Sequence, residues 1–173
     1  MVDTVRTKAA LLALFADNTT GDISPQDLRD FLVTVMGCYG GLHIESGVTA
    51  QALVAATPEL MTEWMHDGIS SNVTPAFASN QITIDEAGDY QIDFTISFLG
   101  INNAQFDFYL RIDGVSSGHA CSTTSPAAAV VQGASFSNQF TLAAGEVLTI
   151  WVTSDTNGNM TVKFADFNVK RLN

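Results

Sequence analysis

Few residues in this chain could do chemistry, and their spacing limits what that chemistry could be. The three histidines, His43, His66 and His119, fall in unrelated segments, and neither Cys38 nor Cys121 has a metal-ligand companion at useful spacing. Imidazole and thiolate sites show in a sequence through donors a few residues apart, and with none the sequence predicts no metal and no cofactor. Without a secretory start, two free thiols are expected rather than a disulfide. No Gly-x-Ser-x-Gly elbow, phosphate-cradling glycine loop or His-Glu-x-x-His occurs. Asp85 and Glu86 are adjacent carboxylates, whereas a glycosidase needs its pair across a cleft. The expectation is a protein that is not an enzyme.

Calcium can be tested at one loop. With Gly21 as the loop glycine, Ile23 takes the apolar position and Asp27 the closing one, but Ala16, Asn18 and Thr20 stand where ligands are needed. The leading carboxylate is missing, and a plain turn between two helices is the simpler reading. The remaining residues of interest are large aromatics. Trp151 is out of phase with Leu148, Ile150 and Val152, and Tyr109 with Phe108 and Leu110. An aromatic on the outer face of a strand marks an interface, so Tyr109 and Trp151 are candidate subunit contacts.

Charge narrows the partners. Lys and Arg number 7 against 18 Asp and Glu, a net charge of −11 in 173 residues. Nucleic acid and anionic membranes attract Lys and Arg, so both are excluded as expected partners. Solubility explains the acidity more simply than a basic partner does. The first residues lack a signal-peptide pattern, and no apolar run approaches the ~18 residues of a membrane span. A chain made in a cytoplasm is expected.

The elements that must position these residues divide at a glycine pair. Residues 4–16 read as a helix, with Val5, Ala9, Leu12 and Ala16 on one stripe. A second helix starts at Ser24, an N-cap followed by Pro25 at the first helical position and Asp27 at the third. Leu28, Phe31, Leu32, Val35 and Met36 give it a one-sided apolar face, and Gly37 ends it. Two short helices cannot bury enough surface to stand alone, so they must pack on something else. Gly40-Gly41 reads as a joint, giving a helical hairpin over 1–41 and a β domain over 42–173.

The β domain is organised around residues 90–98. There Tyr90, Ile92, Phe94, Ile96 and Phe98 alternate with Gln91, Asp93, Thr95 and Ser97, the period of a strand with one buried face. Residues 49–56 and 60–65 are compatible with strand or helix. Residues 66–80 read as loop and 81–84 as a short strand. Further strands are expected over 106–112, 128–132, 134–142, 147–154 and 160–172. In the last, Val162 and Phe164 slip to Phe167 and Val169, which predicts a bulge near Ala165 and Asp166. The fold class expected is mainly β, an antiparallel jelly-roll sandwich with an N-terminal α-helical hairpin.

Three stretches resemble the globular heads of the tumour-necrosis-factor and complement superfamily. They are residues 84–94 with Gly88-Asp89-Tyr90, residues 140–147 with Gly145-Glu146, and residues 164–169 with Phe164 and Phe167. The resemblance covers about residues 49–171 and implies a jelly roll that assembles as a trimer, with one sheet around the threefold axis. By that analogy Tyr109 and Trp151 belong to the interface. Residues 17–31, Asp-Asn-Thr-Thr-Gly-Asp-Ile-Ser-Pro-Gln-Asp-Leu-Arg-Asp-Phe, resemble a segment near the start of tailed-phage virion proteins. This implies a head fibre or decoration protein on a virion assembled in the host cytoplasm. Its partners would be sister subunits and the major capsid protein or another virion protein, reached through Leu28, Phe31, Leu32 and Val35. The alternative is a receptor- or carbohydrate-binding tail fibre or tip, with Asn72, Ser116, Ser117 and His119 as its site.

Overall fold

The computed structural model describes residues 24–35, 37–47 and 49–172, together with Ala10. The expected first helix over 4–16 and the calcium-test positions Ala16, Asn18 and Thr20 otherwise lie outside these residues. Among the described residues there is one α-helix of more than a single turn, α1 (Pro25–Val35). Its start follows from its sequence. The Asp27 amide donates to Ser24 Oγ at 3.2 Å while the Ser24 amide donates to Asp27 Oδ2 at 3.0 Å. That reciprocal pair satisfies two amides the helix itself cannot reach. Gly37, with φ +77°, stands after its end, in the left-handed backbone that glycine adopts without strain.

The rest is an antiparallel sandwich of two sheets. The strands in chain order are β1 (Tyr39–Glu45), β2 (Ala50–Leu53), β3 (Glu59–Leu60), β4 (His66–Asp67), β5 (Val73–Ala76), β6 (Gln81–Ile84) and β7 (Gly88–Leu99). They continue with β8 (Ala104–Ile112), β9 (Val115–Ser125), β10 (Val131–Leu142), β11 (Val147–Ser154) and β12 (Gly158–Arg171). The first sheet runs β10-β7-β12-β1-β4, with β2 on the free half of β12. The second runs β5-β6-β11-β8-β9, with β3 on β11.

Period-two alternation builds the core between them. Tyr90, Ile92, Phe94, Ile96 and Phe98 of β7 are all buried, as are Phe106, Phe108 and Leu110 of β8. Phe98 meets Phe106 and Phe108 edge-on at 4.9 and 5.3 Å, and Phe94 lies 5.8 Å from Phe108. These ring pairs join the two sheets directly. Tyr90 donates its hydroxyl to the Glu86 carbonyl at 2.6 Å, so its polar end is satisfied while the ring is buried. Asp113 and Gly114 both take positive φ, 50° and 78°, between the paired Ile112 and Val115. That two-residue turn has the twist antiparallel strands require.

Several sequence expectations change. Gly40 and Gly41 are not a joint: both lie inside β1, opposite Val169 and Asn168, and the β domain begins at Tyr39. A Cβ on Gly41 would stand 2.3 Å from Asn168 Oδ1, so the glycine makes room for a neighbour's side chain. Residues 61–65 form no strand, although the Met61 and Met65 amides donate to the Ile150 and His43 carbonyls, and 66–80 contain β4 and β5. Residues 127–130 form a turn, so no separate strand spans 128–132, and β10 starts at Val131. β9 was not expected at all, because Val-Ser-Ser-Gly-His-Ala-Cys-Ser-Thr-Thr-Ser has no apolar alternation. The bulge in β12 exists but falls between Val162 and Phe164. Its consequence is large: Phe164, read as core, turns outward and is 56% exposed.

Candidate interaction surfaces

Tyr109 and Trp151 are brought together as direct cross-strand neighbours on the outer face of the second sheet. Both are half-buried, because their own chain covers them. The Arg111 guanidinium lies 3.9 Å from the Trp151 ring centre and 5.7 Å from that of Tyr109. Trp151 Nε1 donates to Thr149 Oγ1 and Thr153 Oγ1 donates to the Tyr109 hydroxyl, each at 3.1 Å. Leu60 of β3 pairs on the far side of Trp151. The cation over the rings and the bonded polar atoms of Trp151 and Tyr109 cover both aromatics within the chain, while the buried Arg111 Nε has no hydrogen-bond partner among the described residues.

The outer face of the first sheet differs. Its rows run across neighbouring strands in register: Gly133, Ser97, Phe164 and Glu45, then Ser135, Thr95, Asp166 and His43, then Ser137, Asp93 and Asn168. Most of these side chains are short, so the surface is flat. Asp93 Oδ1 accepts from Ser137 Oγ at 2.6 Å and from Gln91 Nε2 at 3.1 Å. A shallow recess of about 370 Å³ opens between Asp93, Thr95, Ser135 and Asp166. Beside it, Phe164, Val131, Ser97 and Lys163 border a second, more apolar recess of about 510 Å³. Val131 and Phe164 are each 56% exposed. Sequence reading missed this surface, and the signal was the slip in alternation at Val162 and Phe164 that sets the bulge.

On α1, Leu28 and Leu32 are 52% and 49% exposed, while Phe31 is half-buried. The Val35 side chain lies outside the described residues. The proposed ligand-binding residues do not converge. Asn72 precedes β5 at one edge of the second sheet, whereas Ser116, Ser117 and His119 belong to β9 at the other. Ser117 Oγ donates to the Leu110 carbonyl, and His119 meets Phe140 edge-on at 4.9 Å.

The nucleophile candidates carry no activating geometry. Burial, with a smaller contribution from the Asp107 carboxylate, pushes the Cys121 thiol up to about 11, and a catalytic cysteine requires the opposite shift. Cys38 and Cys121 are both free, and Cys38 is buried beside Arg171. Both oxygens of Asp85 accept from Thr74 Oγ1, at 2.9 and 3.2 Å. Among the described residues, no group of three or more His, Cys, Asp and Glu is placed to hold a metal ion. No helix among them is long and apolar enough to cross a membrane.

No model of a known protein family matches the chain, and no curated protein matches it in sequence. Solved structures do match its fold. Eiger TNF from S. frugiperda superposes with a TM-score of 0.60 at 13% identity, covering 79% of this chain and 93% of that one. The globular domain of zebrafish complement 1qA gives 0.55 at 15% identity, covering 79% and 98%. Murine APRIL at pH 5.0 gives 0.53 at 12% identity, covering 78% and 99%. The chain therefore has the jelly-roll fold of these heads, and at such identity the likeness extends to fold alone.

Proposed function

We propose that this chain works by adhesion rather than catalysis, as a virion structural protein of the head-fibre or decoration kind. In this reading three jelly-roll heads associate, and the segment before Tyr39 fixes them to the capsid. The observation that carries it is the placement of unburied apolar side chains. Leu28 and Leu32 lie on the helix that leads into β1, and Phe164 and Val131 lie on a flat sheet face. Large apolar groups exposed in two separate places fit two partners, one for each. The trimer comes from the resemblance to the superfamily heads. The phage setting comes from the resemblance of residues 17–31.

Of the two candidate faces for self-association, the first sheet's is the better suited. Phe164 needs a partner there, whereas Trp151 already has Arg111 over it. Lys163 and Lys170 stand among Glu45, Asp93 and Asp166 on or beside that face, so a second copy would meet both signs of charge. The test uses the full chain. Sedimentation equilibrium should give a trimer, and Leu28→Asp/Leu32→Asp should keep the trimer but lose incorporation into particles. A monomeric wild type would remove the assembly reading. Full occupancy of the double variant on particles would remove the anchor.

A further inference from the structure

Two of the chain's three histidines, distant in sequence, meet on one sheet face. His43 of β1 and His66 of β4 are paired residues on adjacent antiparallel strands. Their ring centres are 5.0 Å apart, with planes inclined at 31°. His43 shares the outward side of β1 with Glu45, while Leu42 and Ile44 are buried beneath. His66 is exposed and His43 half-exposed, so an ion in solvent can reach both rings.

We propose that His43 and His66 form a chelating site for a divalent transition metal ion such as Ni²⁺ or Zn²⁺. Imidazole nitrogens bind these ions at about 2.1 Å, and two rings sharing one ion at a cis or tetrahedral angle hold their centres about 4.5–5.2 Å apart. The observed separation lies in that interval before any ion binds. Strand pairing fixes both backbones, so little freedom is lost when the second ring engages. Asp166, opposite His43 on β12, adds a negative charge beside the pair. The chain's net charge of −11 raises the cation concentration near the surface. Asp67 contributes its charge from the same strand as His66, although its Oδ1 already accepts from the Phe77 amide at 2.7 Å.

The number of donors sets the kind of site. No third His, Cys, Asp or Glu among the described residues completes a set of three. Two imidazoles are therefore the protein's share, and water fills the remaining positions. Such a shell favours imidazole-seeking ions over Ca²⁺ and Mg²⁺, which take oxygen ligands. Affinity should be micromolar or weaker.

The site needs only β1 and β4 in register within one chain, but His43 lies on the face proposed for self-association, so the titration is repeated on Phe164→Glu, whose monomers leave that face open and separate the two readings. Calorimetric titration of the full chain with Ni²⁺ and with Zn²⁺ tests it, using His43→Ala, His66→Ala and His119→Ala. His119 is the only other histidine and lies in β9 of the opposite sheet, so it serves as the control. One ion per chain is expected, with affinity falling about tenfold or more in either His43→Ala or His66→Ala and unchanged in His119→Ala. Circular dichroism melts without metal check that each variant is folded. Absence of binding by the wild type, or binding by the His43→Ala and His66→Ala variants as tight as the wild type's, would overturn the proposal. So would loss of binding in His119→Ala alone, or Mg²⁺ competing as well as Zn²⁺.

Discussion

The two outer faces of the sandwich dispose of their aromatic residues in opposite ways. On the second sheet, Trp151 and Tyr109 are large and outward-facing, yet Arg111, Leu60, Thr149 and Thr153 cover or bond them. On the first sheet, short polar side chains dominate, and the bulge after Val162 leaves Phe164 in the open. Residue type points to the second sheet for the proposed interface, whereas the exposure of Phe164 favours the first. An aromatic on a strand's outer face is informative only once its neighbours are known. A cation stacked on it within the chain meets the need that a partner would otherwise meet.

The largest effect should come from Phe164→Glu. A charge at a position 56% exposed in one chain costs that chain little, within about 0.5 kcal/mol. Buried in an interface without a partner, the same charge should weaken association by orders of magnitude. Sedimentation should therefore show folded monomers whose melting temperature falls only by what association had contributed. Trimers at wild-type affinity would return the interface to Tyr109 and Trp151. The reverse pattern is expected for Trp151→Ala. Loss of a half-buried indole should cost about 2–3 kcal/mol, less than for a fully buried one, and lower the melting point by about 5–10 °C. Its oligomeric state should not change.

Arg111→Ala sharpens the same contrast on a smaller scale. It removes the cation over Trp151 and Tyr109, worth about 0.5–2 kcal/mol, and newly exposes both rings. If the second sheet's face is self-contained, the variant should be less stable in urea and should gain a tendency to associate. Unchanged stability would mean that the stacked guanidinium contributes nothing and that covering by Arg111 is no reason to prefer the other face.

Alternation made the sandwich legible: β6, β7, β8 and β11 could be read because one face of each is apolar and the other polar. The cap at Ser24 and Asp27 was legible because its mechanism is local, within four residues. β9 was not, because its inward residues include Ser117, His119, Cys121 and Thr123. Its strand character comes from the register with β8 rather than from its own pattern. Gly40 and Gly41 looked like a hinge because glycine serves both hinges and close approaches. Only the position of Asn168 tells the two apart. Nor could the meeting of His43 and His66 be read, since β4 is two residues long and gives no periodic signal. The candidate surfaces thus depend on the register shift in β12 and on β4, both decided by tertiary pairing rather than by local sequence.

The smallest expected effect concerns the rim of the second face, where Asp107 links the outer surface to the thiol beneath. Asp107 pairs with Ser122 and Thr153 on the outside, and Ser122 donates its hydroxyl to the Asp107 carboxylate. Cys121, one residue away on β9, points inward, and burial first and Asp107 second hold its proton up to about 11, against 9.0 for the free side chain. The folded state thus prefers the neutral thiol. Its contribution to stability is fully present below about pH 9 and is lost as pH rises through about 11. Wild-type protein should lose stability over that window, while Cys121→Ala should lose less, the difference being visible in urea midpoints at pH 8 and pH 10.5. Asp107→Asn should lower the thiolate titration seen by ultraviolet absorbance, though not to its free value, because burial remains. An identical titration in Asp107→Asn would show that the carboxylate is turned away from the thiol, and that the outer ladder of this face is not coupled to the core below it.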